Sequence, residues 1–477
     1  MAVTTAEGRA DAWLGDVCVL GAGTTGLVVA EYLAGLPGSR VRSVTLVGGK
    51  SSYESDATRA LASRGVRVLC GTERIEGTYD LAVASPGIPE HSEFYQQARE
   101  HAAEVVGEPE FAWRESPDRW VAITGTNGKT TTTMLTTALL RAGGLDAEAV
   151  GNVGTVVTGE IERRSADGWF VAELSSFQLQ TTRRFHPRVA SLINVTPDHL
   201  SWHGSMEAYA AAKEKAFANM GDGDLAVVSS EDELCRAVIR RLEDRGLSVC
   251  HVSVHGEPAA PLAAFVRAGK LVVRKRDGEH VLVRTDSLAI KGEHNVQNAL
   301  FAAATALELG LPDEAVCHGL LSFHPLEHRI ELCGELAGVR FVNDSKATNV
   351  DAVEKALTAF VPGHVVVLLG GHDKGTTLDT LAHAVSARCK AAVCYGEAGP
   401  RIASALRTAD DGMGLEVVEA AHMREALEAA RGIASAGDVV LLSPACSSFD
   451  EFSGFKERGT VFKRLVSELV AEGNEGR

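Results

Sequence analysis

Short apolar runs alternate with longer amphipathic stretches along most of the chain. Val17-Cys18-Val19-Leu20 is wholly apolar, and Gly21-Ala22-Gly23-Thr24-Thr25-Gly26 turns it into a helix predicted over 27–36. Strands are predicted again at 44–47 and 81–84, the latter stopped by Ser85-Pro86-Gly87-Ile88-Pro89. Glu115-Ser116-Pro117-Asp118 reads as a linker, after which Trp120-Val121-Ala122-Ile123 opens a second series with strands near 170–174 and 189–195. A polar segment over 254–286 reads as an antiparallel excursion or a surface hairpin, and a helix is predicted over 295–309. A third series starts near Pro325, with strands at 340–342, 365–369, 391–395 and 439–442 and a helix over 350–360. Apolar strands alternating with helices predict an α/β chain of mostly parallel sheets covered on both faces.

At 477 residues the chain exceeds what one hydrophobic core supports, so several domains are expected. The net charge of −16 excludes a general basic surface for nucleic acid, and any anionic ligand must meet local donors. Nine scattered cysteines, an odd number with no C-x-x-C pair, read as reduced thiols of a cytoplasmic protein. The first 16 residues do not read as a signal peptide, and no run approaches a membrane span.

The strongest chemical signal is Ile123-Thr124-Gly125-Thr126-Asn127-Gly128-Lys129-Thr130, set between an apolar strand and a helix. Glycines let backbone N–H groups close around phosphate oxygens, a lysine reaches the β/γ-phosphates and a threonine hydroxyl can ligate Mg²⁺. The first glycine of the strict pattern is replaced by Ile123, while the G-x-x-G-K-T core stands. Downstream, Glu173 ends one predicted strand and Thr196-Pro197-Asp198-His199 follows the next. Both acid and histidine thus reach the carboxyl edge of the sheet, where α/β proteins gather ligands and an oxygen ligand suits Mg²⁺. His203 competes with His199 for that place. By pattern alone Lys213 and Lys215, on a helix predicted from Met206 that also carries Tyr209, belong to a solvated face.

Further motifs follow in order: Glu173-Leu174-Ser175-Ser176-Phe177-Gln178-Leu179, Asn194-Val195-Thr196-Pro197-Asp198-His199, Glu293-His294-Asn295 and Leu326-Glu327-His328-Arg329. Asn343-Asp344-Ser345-Lys346-Ala347-Thr348-Asn349 and Leu442-Ser443-Pro444-Ala445-Cys446-Ser447-Ser448 complete the set. Together with the phosphate loop they resemble the Mur ligases, and within them the glutamate-adding branch. The resemblance implies three domains: a Rossmann-like UDP-binding domain over 1–116, a central P-loop ATPase-like domain over 117–325, and a Rossmann-like amino-acid-binding domain over 326–477. It implies a cytoplasmic, monomeric enzyme that uses ATP and Mg²⁺ to join D-glutamate to UDP-N-acetylmuramoyl-L-alanine through an acyl phosphate, with no nucleic-acid or membrane partner.

Residue roles are implied position by position. Gly125, Thr126, Asn127, Gly128, Lys129, Thr130 and Thr131 resemble the ATP phosphate contacts, and Asn295, Arg329 and Asp344 the adenosine side. Thr130, Glu173, His199 and Lys213 resemble the surroundings of two Mg²⁺ sites, with Lys213 carbamylated and so turned from cation to oxygen ligand. Asn152 and His199 resemble contacts to the muramoyl substrate, and Thr24, Thr25, Ser85 and Gly87 a uridine-diphosphate site. Lys346 lies near the reacting groups. Thr348, Lys374, Ser448 and Phe455 resemble the D-glutamate site, where a lysine opposite a carboxylate makes chemical sense. Cys446 has no visible activating partner and reads as packing. One departure concerns the uridine end: the acid often found after the second strand is replaced by Gly48-Gly49-Lys50.

Rival readings are distinguishable. A nicotinamide dehydrogenase would explain Gly21-x-Gly23-x-x-Gly26 but leaves the phosphate loop unused, and it lacks the ribose-binding acid. A non-catalytic nucleotide-binding module would not need Lys129, Glu173 and Lys213 together. Folylpolyglutamate synthase, of the same superfamily, lacks a full α/β domain ahead of the phosphate loop. L-glutamate as the amino acid stays open. Hinge motion about the Pro325 region is expected of the third domain.

Overall fold

The structure is a computed structural model that describes residues 12–153, 155–198, 200–323, 327–373, 375–409 and 414–475. His199, Lys374 and the Pro325 hinge therefore lie outside the described residues. Two compact units are present, residues 1–284 with 298–320 and residues 285–297 with 321–477.

The first unit contains two sheets. In one, β1 (Gly15–Leu20), β2 (Val41–Val47), β3 (Arg67–Leu69), β4 (Leu81–Ala84) and β5 (Val105–Gly107) take the order β3-β2-β1-β4-β5. All its pairings are parallel. The central strands β1 and β4 are buried along nearly their whole length, as a sheet covered on both faces requires. Leu81–Ala84 is thus the fourth strand. The chain also forms the three-residue strands β3 and β5, too short to show a period.

The second sheet comprises β6 (Trp120–Thr124), β7 (Ala147–Gly151), β8 (Trp169–Glu173), β9 (Val189–Leu192), β10 (Leu225–Ser229), β11 (Ser248–Ser253), β12 (Ala263–Arg267), β13 (Lys270–Lys275) and β14 (Gly278–Arg284). Their order is β14-β13-β12-β11-β10-β9-β6-β8-β7. Pairing is parallel from β7 to β12, then antiparallel through β13 and β14, which is the expected excursion. Strand β9 ends at Leu192 rather than at 195, because Asn194 turns from the ladder to the phosphate loop.

Glu115 is no part of a loose linker. It ends the helix Glu108–Glu115, is almost fully buried, and makes a bidentate pair with Arg40 at 2.9 Å while accepting the Tyr32 hydroxyl at 2.8 Å. The same helix fastens the first sheet to the second. Glu110 accepts the backbone N–H groups of Arg183, Arg184 and Phe185, and Glu108 accepts the amide and hydroxyl of Thr158. Burial pushes the Glu108 carboxyl above its usual range, against the pull of those two donors.

The second unit holds β15 (Glu331–Leu336), β16 (Val339–Asn343), β17 (Val365–Gly370), β18 (Ala391–Tyr395), β19 (Glu416–Ala420) and β20 (Val439–Ala445). Their order is β15-β16-β20-β17-β18-β19, parallel except for the β15–β16 hairpin. The helix after Asn349 stops at Leu357, short of the expected 360. Two apolar clusters, one on each face, sandwich this sheet. Cys446 lies in one of them, and all nine cysteines are free, in keeping with reduced thiols. Among the described residues no helix is long and apolar enough to cross a membrane.

Candidate active site

In the first unit the carboxyl ends of β6, β8 and β9 carry the phosphate loop and its neighbours. Strand β6 delivers Thr124 into the loop, and helix Lys129–Ala142 leaves it. Gly128 stands at the helix N-cap with φ +83°, and a Cβ there would lie 2.5 Å from Asn298 Oδ1. Only glycine fits both the left-handed backbone and that approach. No side chain caps this N-terminus, so its first-turn amides are presented to an anion. Asn194 shapes the loop from the side: its Oδ1 accepts the N–H groups of Thr126 (3.0 Å) and Asn127 (2.9 Å).

Two lysines meet at this loop. Lys129 Nζ donates to the carbonyls of Gly125 (2.9 Å) and Thr126 (2.7 Å). Lys213, on helix Met206–Glu214, donates to the same Gly125 carbonyl at 2.7 Å and lies 4.4 Å from the centre of the Tyr209 ring. At 1% exposure Lys213 is no part of a solvated face. Burial, then the Lys129 charge, pushes its amine well below the usual lysine range. Lys215 falls in the short 3-10 turn that follows, half-buried, with its Nζ on the Gln180 carbonyl.

Glu173 ends β8 and is 2% exposed. Its Oε1 accepts from Asn152 Nδ2 at 2.8 Å, whereas Oε2 is buried with no hydrogen-bond partner among the described residues. An orphaned buried carboxylate oxygen is costly unless a cation or donor meets it. Among the described residues no three His, Cys, Asp or Glu side chains gather into a ready-made cage. One carboxylate beside a phosphate loop, with the Thr130 hydroxyl at the helix start, fits Mg²⁺, which keeps several waters and binds one or two carboxylates plus substrate phosphates. An aromatic group not foreseen in the sequence lies nearby. Phe177 packs on Trp202 (4.4 Å between centroids) and stacks on His203 (5.7 Å), and His203 also faces Tyr209 (5.2 Å) and bonds Ser176 Oγ (2.9 Å).

At the first sheet Thr24 and Thr25 begin helix Thr24–Gly35 beyond the turn after β1, three residues before the expected start. Ser85 and Gly87 follow β4, and the buried Ser85 Oγ has no partner among the described residues.

In the second unit Asp344 follows β16 and is buried. It accepts Ser443 Oγ at 2.8 Å and the Ile330 N–H at 3.4 Å. Burial raises its carboxyl to about 7, offset in part by Ser443 and by the Arg329 charge. Asn295 holds the Lys291 carbonyl at 2.8 Å, in the first turn of helix Glu293–Glu308. Lys346 lies 4.0 Å over the Phe455 ring, and Phe455 O accepts Ser345 Oγ at 2.8 Å. Thr348 follows two residues on, with its N–H on the Lys346 carbonyl. Ser448 is buried, and its Oγ has no partner among the described residues.

A residue missed in the sequence ties these loops together. Arg458, wholly buried in helix Phe455–Glu475, donates to Ser345 Oγ (3.0 Å), Ser345 O (2.9 Å), Cys446 O (3.0 Å) and Ser447 O (3.3 Å). On a helix face an arginine defaults to a solvated charge, and nothing in local spacing reveals two distant loops converging on it.

Two family models match this chain. The Mur ligase middle domain matches residues 123–306, and the Mur ligase, glutamate ligase domain matches residues 328–446. The UDP-N-acetylmuramoylalanine–D-glutamate ligase of Koribacter versatilis (strain Ellin345) is 37% identical over 96% of this chain and 98% of its own length. That of Pelotomaculum thermopropionicum is 38% identical over 95% and 97%. Among solved structures, a pseudomurein peptide ligase type C from Methanothermus fervidus aligns with TM-score 0.59 at 15% identity, covering 95% of this chain and 99% of that one. The UDP-N-acetylmuramate-alanine ligase of Thermotoga maritima aligns with TM-score 0.56 at 20% identity, covering 96% and 99%. These two share the fold.

Proposed function

The chain belongs to the Mur ligase family, and from that premise we infer its reaction: the ATP-dependent joining of D-glutamate to UDP-N-acetylmuramoyl-L-alanine in peptidoglycan precursor synthesis. The observation that carries this reading is the full-length similarity to ligases of that name, on a chain whose phosphate loop, buried Glu173 and buried Lys213 stand side by side.

The γ-phosphoryl group of ATP passes to the terminal carboxylate of the muramoyl substrate, breaking its bond to ADP. The amine of D-glutamate then attacks the acyl carbon, phosphate leaves, and the amine proton is lost. Such transfers need positioning and charge neutralisation more than covalent help. Gly125–Thr131 cradles the phosphates, with Lys129 as the fixed positive charge at the mouth of the loop. Mg²⁺, when bound, supplies further neutralisation of phosphate charge. Thr130, Glu173, His199 and Lys213 are the groups to hold it, in two sites.

Lys213 suits carbamylation. Burial favours the neutral form of its amine, the form whose lone pair attacks CO₂; a C–N bond forms, the nitrogen loses a proton, and the amine becomes an anionic oxygen ligand. Asn152, which donates to Glu173, and His199 are assigned to the muramoyl end, and Thr24, Thr25, Ser85 and Gly87 to the uridine diphosphate. Asn295, Arg329 and Asp344 serve adenosine, Lys346 the reacting groups, and Thr348, Lys374, Ser448 and Phe455 the glutamate. The enzyme works as a cytoplasmic monomer of three domains divided near 116 and 325.

The deciding assay is phosphate release with ATP, Mg²⁺ and UDP-N-acetylmuramoyl-L-alanine, with D- or L-glutamate. Release strictly dependent on D-glutamate is expected. Release with L-glutamate alone would change the product, and release with neither would remove the reaction.

A further inference from the structure

The uridine end of the substrate site departs from the usual acid-after-β2 arrangement, and the first position after β2, Gly48, has no room for a side chain. A Cβ on Gly48 would lie 2.3 Å from Ser52 Oγ, 2.7 Å from Ser52 Cβ and 3.1 Å from Ala22 Cβ. Ser52 therefore occupies the volume that a side chain at 48 would need. Its hydroxyl is committed as well, donating to Gly49 O (2.7 Å) and accepting from Gly71 N (3.0 Å). Lys50 and Glu73 are tied to one another at 2.9 Å.

The loop that replaces the acid is fixed at both ends. Gly48 O accepts the Ala22 N–H of the β1 turn, and Ser55 caps helix Asp56–Ser63 with a reciprocal capping box. Between these anchors Tyr53 stands 77% exposed, the most exposed large apolar side chain of the described residues. In an open parallel sheet the diphosphate sits at the turn after β1 and the nucleoside extends past the end of β2. That is the ground over which the 48–55 loop is built. An aromatic ring left in water at such a place is a stacking platform: every base offers a π-face, and stacking needs no hydrogen-bonding partner.

We propose that Tyr53 anchors the uracil ring of the UDP-linked substrate by stacking, in place of the carboxylate that position 48 cannot carry. The proposal rests on the uridine-diphosphate reading of this site. Stacking depends on a flat ring, whereas hydrogen bonding to N3–H, O2 and O4 does not. UDP and 5,6-dihydro-UDP, whose ring is puckered but keeps those groups, separate the two.

The test is calorimetric titration of both nucleotides into the full-length protein and three variants. The wild type is expected to bind UDP about 5- to 50-fold tighter than 5,6-dihydro-UDP. Tyr53→Phe should keep that preference, Tyr53→Ala should bind both nucleotides alike at the weaker level, and Glu54→Gln should match the wild type. A Tyr53→Ala protein that still prefers UDP would overturn the proposal, as would loss of UDP affinity in Glu54→Gln alone. The titration needs no turnover, so UDP binding without ligase activity would remove the reaction and leave the Tyr53 assignment standing. A wild type that binds no UDP would remove the uridine site and this assignment with it.

Discussion

Replacing Arg458 with methionine tests whether one buried guanidinium holds the amino-acid end of the second unit in shape. The four donor contacts of Arg458 go to neutral oxygens on two loops, Ser345 on one and Cys446 with Ser447 on the other. Methionine fills much of the volume and donates nothing. Ser447 O keeps the His372 N–H at 2.9 Å, whereas methionine offers nothing in place of the bonds to Ser345 O and Cys446 O. Two buried acceptors losing charge-assisted partners cost about 2–6 kcal/mol, and release of a desolvated charge returns part of that, leaving about 3 kcal/mol. For a unit of this size the unfolding midpoint should fall by roughly 6–12 °C. Lys346, Thr348 and Ser448 ride on the two loops, so kcat/KM for D-glutamate should fall by about 100-fold, as an ångström-scale misplacement does. Arg458→Lys should fall between, since one ammonium cannot span both loops as the planar fork does. Calorimetric melting and steady-state phosphate release read the two effects. A methionine variant that melts within about 1 °C of wild type with unchanged glutamate kinetics would refute the reasoning.

Lys129→Ala should lower ATP-dependent phosphate release by at least about 100-fold, the scale of a lost transition-state charge contact, and near-normal turnover would remove the phosphate-loop assignment. Lys213→Ala should be nearly inactive and partly rescued by a small carboxylate such as acetate; full unrescued activity would show that no carbamate acts there. Asp344→Asn gives a pH signature. With its folded pKa raised from 3.8 to about 7, Asp344 keeps its proton where the unfolded chain has lost it, so its stabilising contribution is complete below about pH 4 and declines towards pH 7. The asparagine variant should lack this decline and melt higher than wild type at pH 8, by up to about 4 kcal/mol in stability, with little difference at pH 4; parallel melting curves against pH would sink the idea.

Much of this was legible in the sequence because the signals are local. A strand, a glycine turn and a helix in succession fix the phosphate loop, and β6 with helix Lys129–Ala142 lies where Trp120–Ile123 and Lys129-Thr130 place it. What the sequence hides is set by distant contacts. The carboxylate of Glu115 looks like linker charge until Arg40, 75 positions away in the chain, closes on it. Strand β9 loses its last expected residues because Asn194 finds better partners in the amides of Thr126 and Asn127 than in the ladder. Arg458 shows the same limit, since its partners lie 11 to 113 residues upstream. The role assigned to Lys213 by resemblance contradicted the role assigned by pattern, and burial decides against the solvated face.

That burial has a further consequence for the phosphate loop. Lys129 and Lys213 donate to one oxygen, Gly125 O, at 2.9 and 2.7 Å, so their ammonium nitrogens lie no more than 2.9 + 2.7 = 5.6 Å apart. Two cations at that distance repel by about 3 kcal/mol in an effective dielectric of about 20. The repulsion weighs on the buried one, because desolvation and the Lys129 field both push the Lys213 amine towards its neutral form. A neutral amine relieves the repulsion, and a carbamate reverses it into attraction for Lys129 and for any cation beside Glu173 Oε2. Lys129 is then left as the single fixed positive charge of the pair, which is the arrangement a phosphate-binding loop needs. An arginine at 213 could take neither route, and the loop would carry two permanent cations on one carbonyl. Removing the ammonium of Lys129 should correspondingly raise the pKa of Lys213, so the two lysines are coupled members of one site rather than independent contacts.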